Sequence, residues 1–164
     1  MNNFHYSDAL AQSLTSNDER RSRKQVALNS SSGGVGPLPI VTTLFAAPLN
    51  VVSTSIDTRD IGDANILLNF TSIVNLPLGI SVTLNFEITR SLNGGAPVNV
   101  GATYTFSTLV DVLEAEAFSF QFFDPDVQPG FYTYSVQLST NSVIDITPGA
   151  SVQNAVLSVL AVAD

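Results

Sequence analysis

The chain has 164 residues, 45% of them hydrophobic and only 12% charged, which is long enough to enclose one core and leaves the surface mainly to Ser, Thr, Asn and Gln. The absence of cysteine excludes disulfides, thiolate metal sites and a cysteine nucleophile. A net charge of −8 works against a phosphate backbone, so no nucleic-acid partner is expected.

The charge is divided unevenly. Residues 1–35 hold four basic residues, Arg20, Arg21, Arg23 and Lys24, against three acidic ones (+1), and residues 36–164 hold two against eleven (−9), together the −8 of the chain. The opening Met1-Asn2-Asn3-Phe4-His5-Tyr6-Ser7 has neither the basic start nor the apolar stretch of a secretory signal. The longest weakly polar run, residues 155–163, is far short of a spanning helix, so neither Sec export nor membrane insertion is expected.

Residues 1–36 read as an extended N-terminal arm ending in a Gly/Ser linker. Ser7 is placed to cap a short helix through Leu14, and Ser16-Asn17-Asp18-Glu19 has the form of a capping box ahead of residues 20–28. Asn29-Ser30-Ser31-Ser32-Gly33-Gly34-Val35-Gly36-Pro37 has the composition of loose coil. Phe4, Tyr6, Leu10 and Leu14 are too few to form a core of their own. They are expected to dock on a neighbouring subunit, with Arg20, Arg21, Arg23 and Lys24 facing its acidic body.

From Pro37 the chain becomes a series of short strands, predicted at residues 40–45, 49–55, 64–72, 80–90, 103–108, 118–123, 131–139, 143–147 and 151–163. The unbroken alternation of Ile80, Val82, Leu84, Phe86 and Ile88 with Ser81, Thr83, Asn85, Glu87 and Thr89 is the period of a half-buried strand. Asn93-Gly94-Gly95, Asp124-Pro125-Asp126 and Thr147-Pro148-Gly149 are turn signals. After Pro129-Gly130, the residues Tyr132, Tyr134, Val136 and Leu138 share one side of a strand and define a core face. Residues 151–163 are apolar on both sides, which places that strand centrally or at a subunit contact. Strands of this number and length predict an all-β fold, a jelly-roll or Greek-key two-sheet sandwich over residues 37–164.

No catalytic constellation is visible. His5 is the single histidine and lacks the context of a triad or a metal site. Asp57, Asp60 and Asp63, with Gly62, offer oxygen ligands for a hard cation such as calcium, but without EF-hand spacing, and turn chemistry accounts for them equally. Asp111, Glu114 and Glu116 read as a solvated loop or short helical turn rather than as an acid/base pair.

Two segments, Pro129-Gly130-Phe131-Tyr132-Thr133-Tyr134-Ser135-Val136 and Val152-Gln153-Asn154-Ala155-Val156-Leu157-Ser158-Val159, resemble two stations of the jelly rolls on bacterial endospores. These are the exosporium proteins of the TNF/C1q-like class and the subunits of spore appendage fibres. The resemblance spans residues 40–163 and implies a coat or fibre subunit at the spore surface, made in the mother cell and outside it after release. The arm cysteines and the collagen-like repeat of those families are absent.

The expected function is that of a non-enzymatic, self-assembling structural subunit of a fibre, appendage or coat layer. It needs no cofactor or metal, and its partner is itself. A trimeric C1q-like head or carbohydrate-binding module is the alternative, and a small viral capsid protein the third.

Overall fold

The computed structural model describes residues 26–38, 47–77, 80–110, 114–140 and 149–164. Among them the chain forms eight strands and no helix: β1 (Val26–Val35), β2 (Leu49–Asp57), β3 (Ala64–Leu76), β4 (Ile80–Leu92), β5 (Val98–Val110), β6 (Glu114–Val127), β7 (Phe131–Ser139) and β8 (Ser151–Ala163). They build two antiparallel four-stranded sheets, a first sheet ordered β1-β8-β3-β6 and a second ordered β2-β7-β4-β5. The pairs β1–β8, β2–β7, β3–β6 and β4–β5 are those of one long hairpin pivoting at the β4–β5 turn. Rolling that hairpin up adds the β3–β8 and β4–β7 contacts and closes the two sheets over each other. This is the jelly roll.

Alternation explains the layers. On β3, Ile66, Leu68, Phe70 and Val74 are buried, and on β4 so are Leu84, Phe86 and Ile88. Tyr132, Tyr134, Val136 and Leu138 of β7 and Leu157, Val159 and Ala161 of β8 complete the interior. Rings from both sheets meet there: Phe70 lies 5.7 Å from Phe86 and 4.9 Å from Phe120. Tyr104 stacks on Phe120 at 3.9 Å with 7° between planes. Each such ring contributes about 2 kcal/mol or more by leaving water.

The sandwich begins earlier than the pattern of residues predicts. Residues 29–35, read as linker, and residues 26–28, read as the end of a capped helix, form β1, an edge strand paired with β8 from Val26↔Val162 to Val35↔Val152. Its poverty in large side chains has a packing cause. A Cβ on Gly33 would lie 2.4 Å from the Val51 carbonyl oxygen and 3.0 Å from the Val52 Cβ, so glycine lets β1 settle directly on β2. The remainder of the predicted arm, residues 1–25, and the predicted strands 40–45 and 143–147 lie outside the described residues.

Two segments read as turn or loop sit inside a strand. Asp124-Pro125-Asp126 is a bulge in β6, where the register steps from Ile66↔Asp124 to Ala64↔Val127 and Asp126 takes a φ of 53°. Because β6 is a sheet edge, Pro125 can lack an N–H there without breaking the ladder. Glu114 and Glu116, read as loop or helical turn, also belong to β6, paired with Leu76 and Val74. Asp111 lies outside the described residues.

Gly33→Ala discriminates strand from linker. In a linker the change is neutral or slightly stabilising. Against the Val51 carbonyl it is expected to cost about 1–3 kcal/mol, read as a lower urea midpoint with unchanged slope.

Candidate functional site

The described polar groups do not converge on a reaction centre. The one charged cluster drawn into the interior is an inter-sheet clasp. Asp124 of β6 is buried, and its Oδ2 accepts hydrogen bonds from Arg90 Nη1 of β4 at 2.7 Å and from the Tyr134 hydroxyl of β7 at 2.7 Å. The Arg90 guanidinium lies 5.9 Å from the centre of the Tyr132 ring, and the Tyr132 hydroxyl donates to the Gln128 carbonyl at 2.8 Å. Asp124 falls on the inward side by the same alternation that buries Phe120, and the bulge at Pro125–Asp126 follows it, returning Val127 to the inward register opposite Ala64. Arg90 opens into a recess of about 370 Å³ beside Leu92, Val98, Asp126 and Gln128. No nucleophile–base pair borders it.

The clasp was legible in one respect. Arg90 continues the two-residue spacing of Leu84, Phe86 and Ile88, and a cation in phase with an apolar face calls for a buried carboxylate. Which carboxylate follows only from the roll that brings β6 over β4.

The two outer faces differ in chemistry. The second sheet carries a mesh of side-chain hydrogen bonds: Ser53 to Ser135 at 2.8 Å, Ser55 to Thr133 at 2.8 Å and Gln137 to Asn50 at 3.1 Å. Asn99 and Thr103 both donate to Glu87, at 3.1 and 3.2 Å. The first sheet instead carries an apolar row. Leu28, Leu160, Leu67 and Phe123 are mutual register partners across all four strands. Leu28, Leu67 and Phe123 are 70%, 38% and 56% exposed. Val26 and Val162 pair with each other one row nearer the strand ends, also exposed. On the other side of the stripe come Ser30, Ser158, Asn69 and Gln121, then Ser32, Val156, Thr71 and Ser119. These rows contain no charged residue. Acidic groups begin at the Val26/Val162 row, where Asn65, the partner of Val162, donates its side-chain amide to Asp164 Oδ1 at 3.2 Å and accepts the Asp126 N–H, and Glu116 lies near the opposite end of β6.

Of the residues singled out in the sequence, Tyr132, Tyr134, Val136 and Leu138 are buried between the sheets, the two tyrosines stacked at 6.4 Å. Phe4, Tyr6, Leu10, Leu14, Arg20, Arg21, Arg23 and Lys24 lie outside the described residues. Asp57 is engaged by Arg59, whose Nε donates at 2.9 Å. Among the described residues no group of three or more His, Asp or Glu side chains is arranged to hold a metal ion, so Asp57, Asp60 and Asp63 do not form a calcium cage. No helix among them is long and apolar enough to cross a membrane. The apolar stripe escaped sequence reading because Leu28 lay in a segment read as helix. Leu67 and Leu160 lay within apolar runs whose faces cannot be told apart by composition.

Among the described residues, fold and faces together define a jelly roll of eight strands with one hydrogen-bonded polar face and one partly apolar face whose central rows carry no charge. The chain belongs to the DUF4489 family, described as a domain of unknown function, whose model matches residues 26–162. The match begins at the first residue of β1. Among solved structures, the chain is similar to one in the structure of infectious bursal disease virus Gx strain, with a TM-score of 0.50 and 11% identity over 84% of this chain and 32% of that one. It is also similar to one in the structure of the Gt strain of the same virus, with a TM-score of 0.47 and 12% identity over 85% and 33%. The chain thus spans about a third of the length of these viral chains, and identity this low concerns the fold alone. No curated protein sequence matches.

Two outcomes follow for the clasp. Asp124→Asn removes the charge and leaves Arg90 without its counter-ion, an expected loss of about 2–3 kcal/mol in urea unfolding. Replacing the whole set, Asp124→Leu with Arg90→Met and Tyr134→Phe, is expected to recover most of that loss, because no polar group is then left unpaired. Burial first, and the hydrogen bond to Asp124 second, push the Tyr134 hydroxyl far above the ordinary tyrosine value. The folded state therefore holds this proton more tightly than the unfolded chain. The resulting stability is complete below about pH 10 and declines as pH rises beyond it. Thermal melts between about pH 9 and 11 are expected to fall more steeply for the wild type than for Tyr134→Phe. A residual slope remains from Tyr104 and Tyr132, both also raised by burial.

Proposed function

We propose that the chain is a non-enzymatic structural subunit that assembles with copies of itself into a fibre, appendage or coat layer. The observation that carries this reading is the outer surface of the first sheet, an uncharged face with an exposed apolar row on a chain of net charge −8. Acidic proteins stay apart through their charge, and a face cleared of charge is where that repulsion is relaxed. The low charged fraction of 12% supports the same reading, since Ser, Thr and Asn surfaces are less costly to bury than Lys and Glu. In this proposal residues 1–25, with Phe4, Tyr6, Leu10 and Leu14 followed by the basic run, dock on the next subunit.

The finer proposal is a spore-surface location, with synthesis in the mother cell and release on its lysis. It rests on the resemblance of residues 129–136 and 152–159 to endospore jelly rolls. A capsid role is the second reading, favoured by the likeness to chains from virus particles. Nucleic acid co-purifying with assembled protein, read by its absorbance ratio, would support it over a coat or fibre.

Electron microscopy of the purified full chain is expected to show ordered polymers or sheets. Deleting residues 2–25 is expected to shorten or abolish them. The deletion has to stop there, because residues 26–35 are β1 and their loss would expose β8. Unchanged polymers would remove the arm from the proposal, and a monomer at every concentration would overturn the assembly reading.

A further inference from the structure

We propose that the outer face of the β1-β8-β3-β6 sheet is a two-fold interface that receives the same face of a second copy, with Leu28, Leu160, Leu67 and Phe123 of each copy stacked on those of the other. The inference rests on the self-assembly reading and adds to it the surface and the symmetry.

Three observations carry it. The four residues form one continuous row perpendicular to the strands, Leu28↔Leu160, Leu67↔Leu160 and Leu67↔Phe123, and the exposed members are large side chains that a solvated face has no reason to align. The face is uncharged from the Leu28 row to the Ser119 row. That matters for a copy of itself above all, because an isologous contact brings each charge close to its own like. A differently charged partner would impose no such requirement. Finally, the strands run only two to four residues past the row at the Val26 end, so copies stacked row on row overlap over about seven residues of four strands about 4.8 Å apart, a patch on the order of 450 Å² per copy, the size of a weak, reversible contact rather than of a permanent one.

The acidic end selects the operator. A two-fold axis parallel to the strands would put the ends carrying Asp63, Asp126 and Asp164 on the same side of the pair, like charge against like. An axis along the stripe lays leucine on leucine and the Val26/Val162 row over the Ser30/Ser158 row, and it sends the acidic ends in opposite directions. Leu67 then faces Leu67 of the other copy across the axis.

Charge exchange at that position is the test, made in the full chain. Leu67 points outward and is 38% exposed, so either charge leaves the core intact, which circular dichroism melts verify. Leu67→Asp and Leu67→Lys are each expected to weaken self-association by at least about tenfold in sedimentation velocity. Mixing the two variants is expected to restore it as a heterodimer. The cysteine-free chain adds a second readout. Phe123→Cys is expected to give a disulfide dimer on mild oxidation, whereas Thr133→Cys, on the outer face of the other sheet, is not. Wild-type association by both Leu67 variants, or dimers from Thr133→Cys but not Phe123→Cys, would overturn this face while leaving self-assembly standing. A wild-type chain that is monomeric at every concentration overturns both.

Discussion

The contact between the inward faces of the two sheets is the constraint from which the rest of the structure follows. Phe70 and Phe120 from one sheet and Phe86 and Tyr104 from the other share a single ring cluster, and this cluster with the aliphatic residues around it supplies most of the apolar area the two sheets bury against each other. Every strand must therefore give one side to the interior, and period-two geometry then hands the alternate residues to solvent. The outward residues are released from packing. Their chemistry can diverge, and on the two sheets it has.

The clasp of Asp124, Arg90 and Tyr134 is the exception to an apolar interior. Buried ion pairs are seldom a net source of stability, because removing the charges from water costs about as much as their attraction returns. What this one supplies is registration. Asp124 is on the first sheet, while Arg90 and Tyr134 are on neighbouring strands of the second. Their directional bonds are made only when β6 lies correctly over β4 and β7, whereas apolar contacts tolerate sliding. The bulge at Asp126 costs local backbone strain, since a non-glycine residue there takes a left-handed φ of 53°. That cost is offset by the burial of Val127, which the extra residue brings to the inward register opposite Ala64.

Much of the fold was legible wherever alternation was strong. Residues 131–139 and 151–163 coincide with β7 and β8, and the start of β2, β3 and β4 was readable from residues 49, 64 and 80. Reading failed where the backbone itself does the packing. Gly33 has no side chain to reveal that β1 lies on β2, and a run of Ser and Gly looks the same in a linker as in an edge strand. It failed again at Asp124-Pro125-Asp126, because a proline and two aspartates signal a turn unless the strand is known to be at an edge. The apolar stripe is a third case. It exists only as a register across four strands, and no single strand carries more than one of its members.

The difference between the outer faces has a physical reading that does not depend on any relative. Hydroxyl and amide pairs such as Ser53 with Ser135 and Asn50 with Gln137 spend their hydrogen-bonding capacity within the second sheet, so that face gains little from a partner. The first sheet has the opposite ledger. Leucine and phenylalanine side chains at 38–70% exposure keep apolar area in contact with water, and the flanking Ser, Asn and Thr carry no charge whose desolvation would oppose burial. A strongly acidic chain would raise its solubility by placing a single Glu or Lys in that row, and on an outward position the substitution would cost the core nothing. The row instead remains apolar across four strands in a chain of net charge −8, and this is the contrast on which the proposed association through the sheet rests.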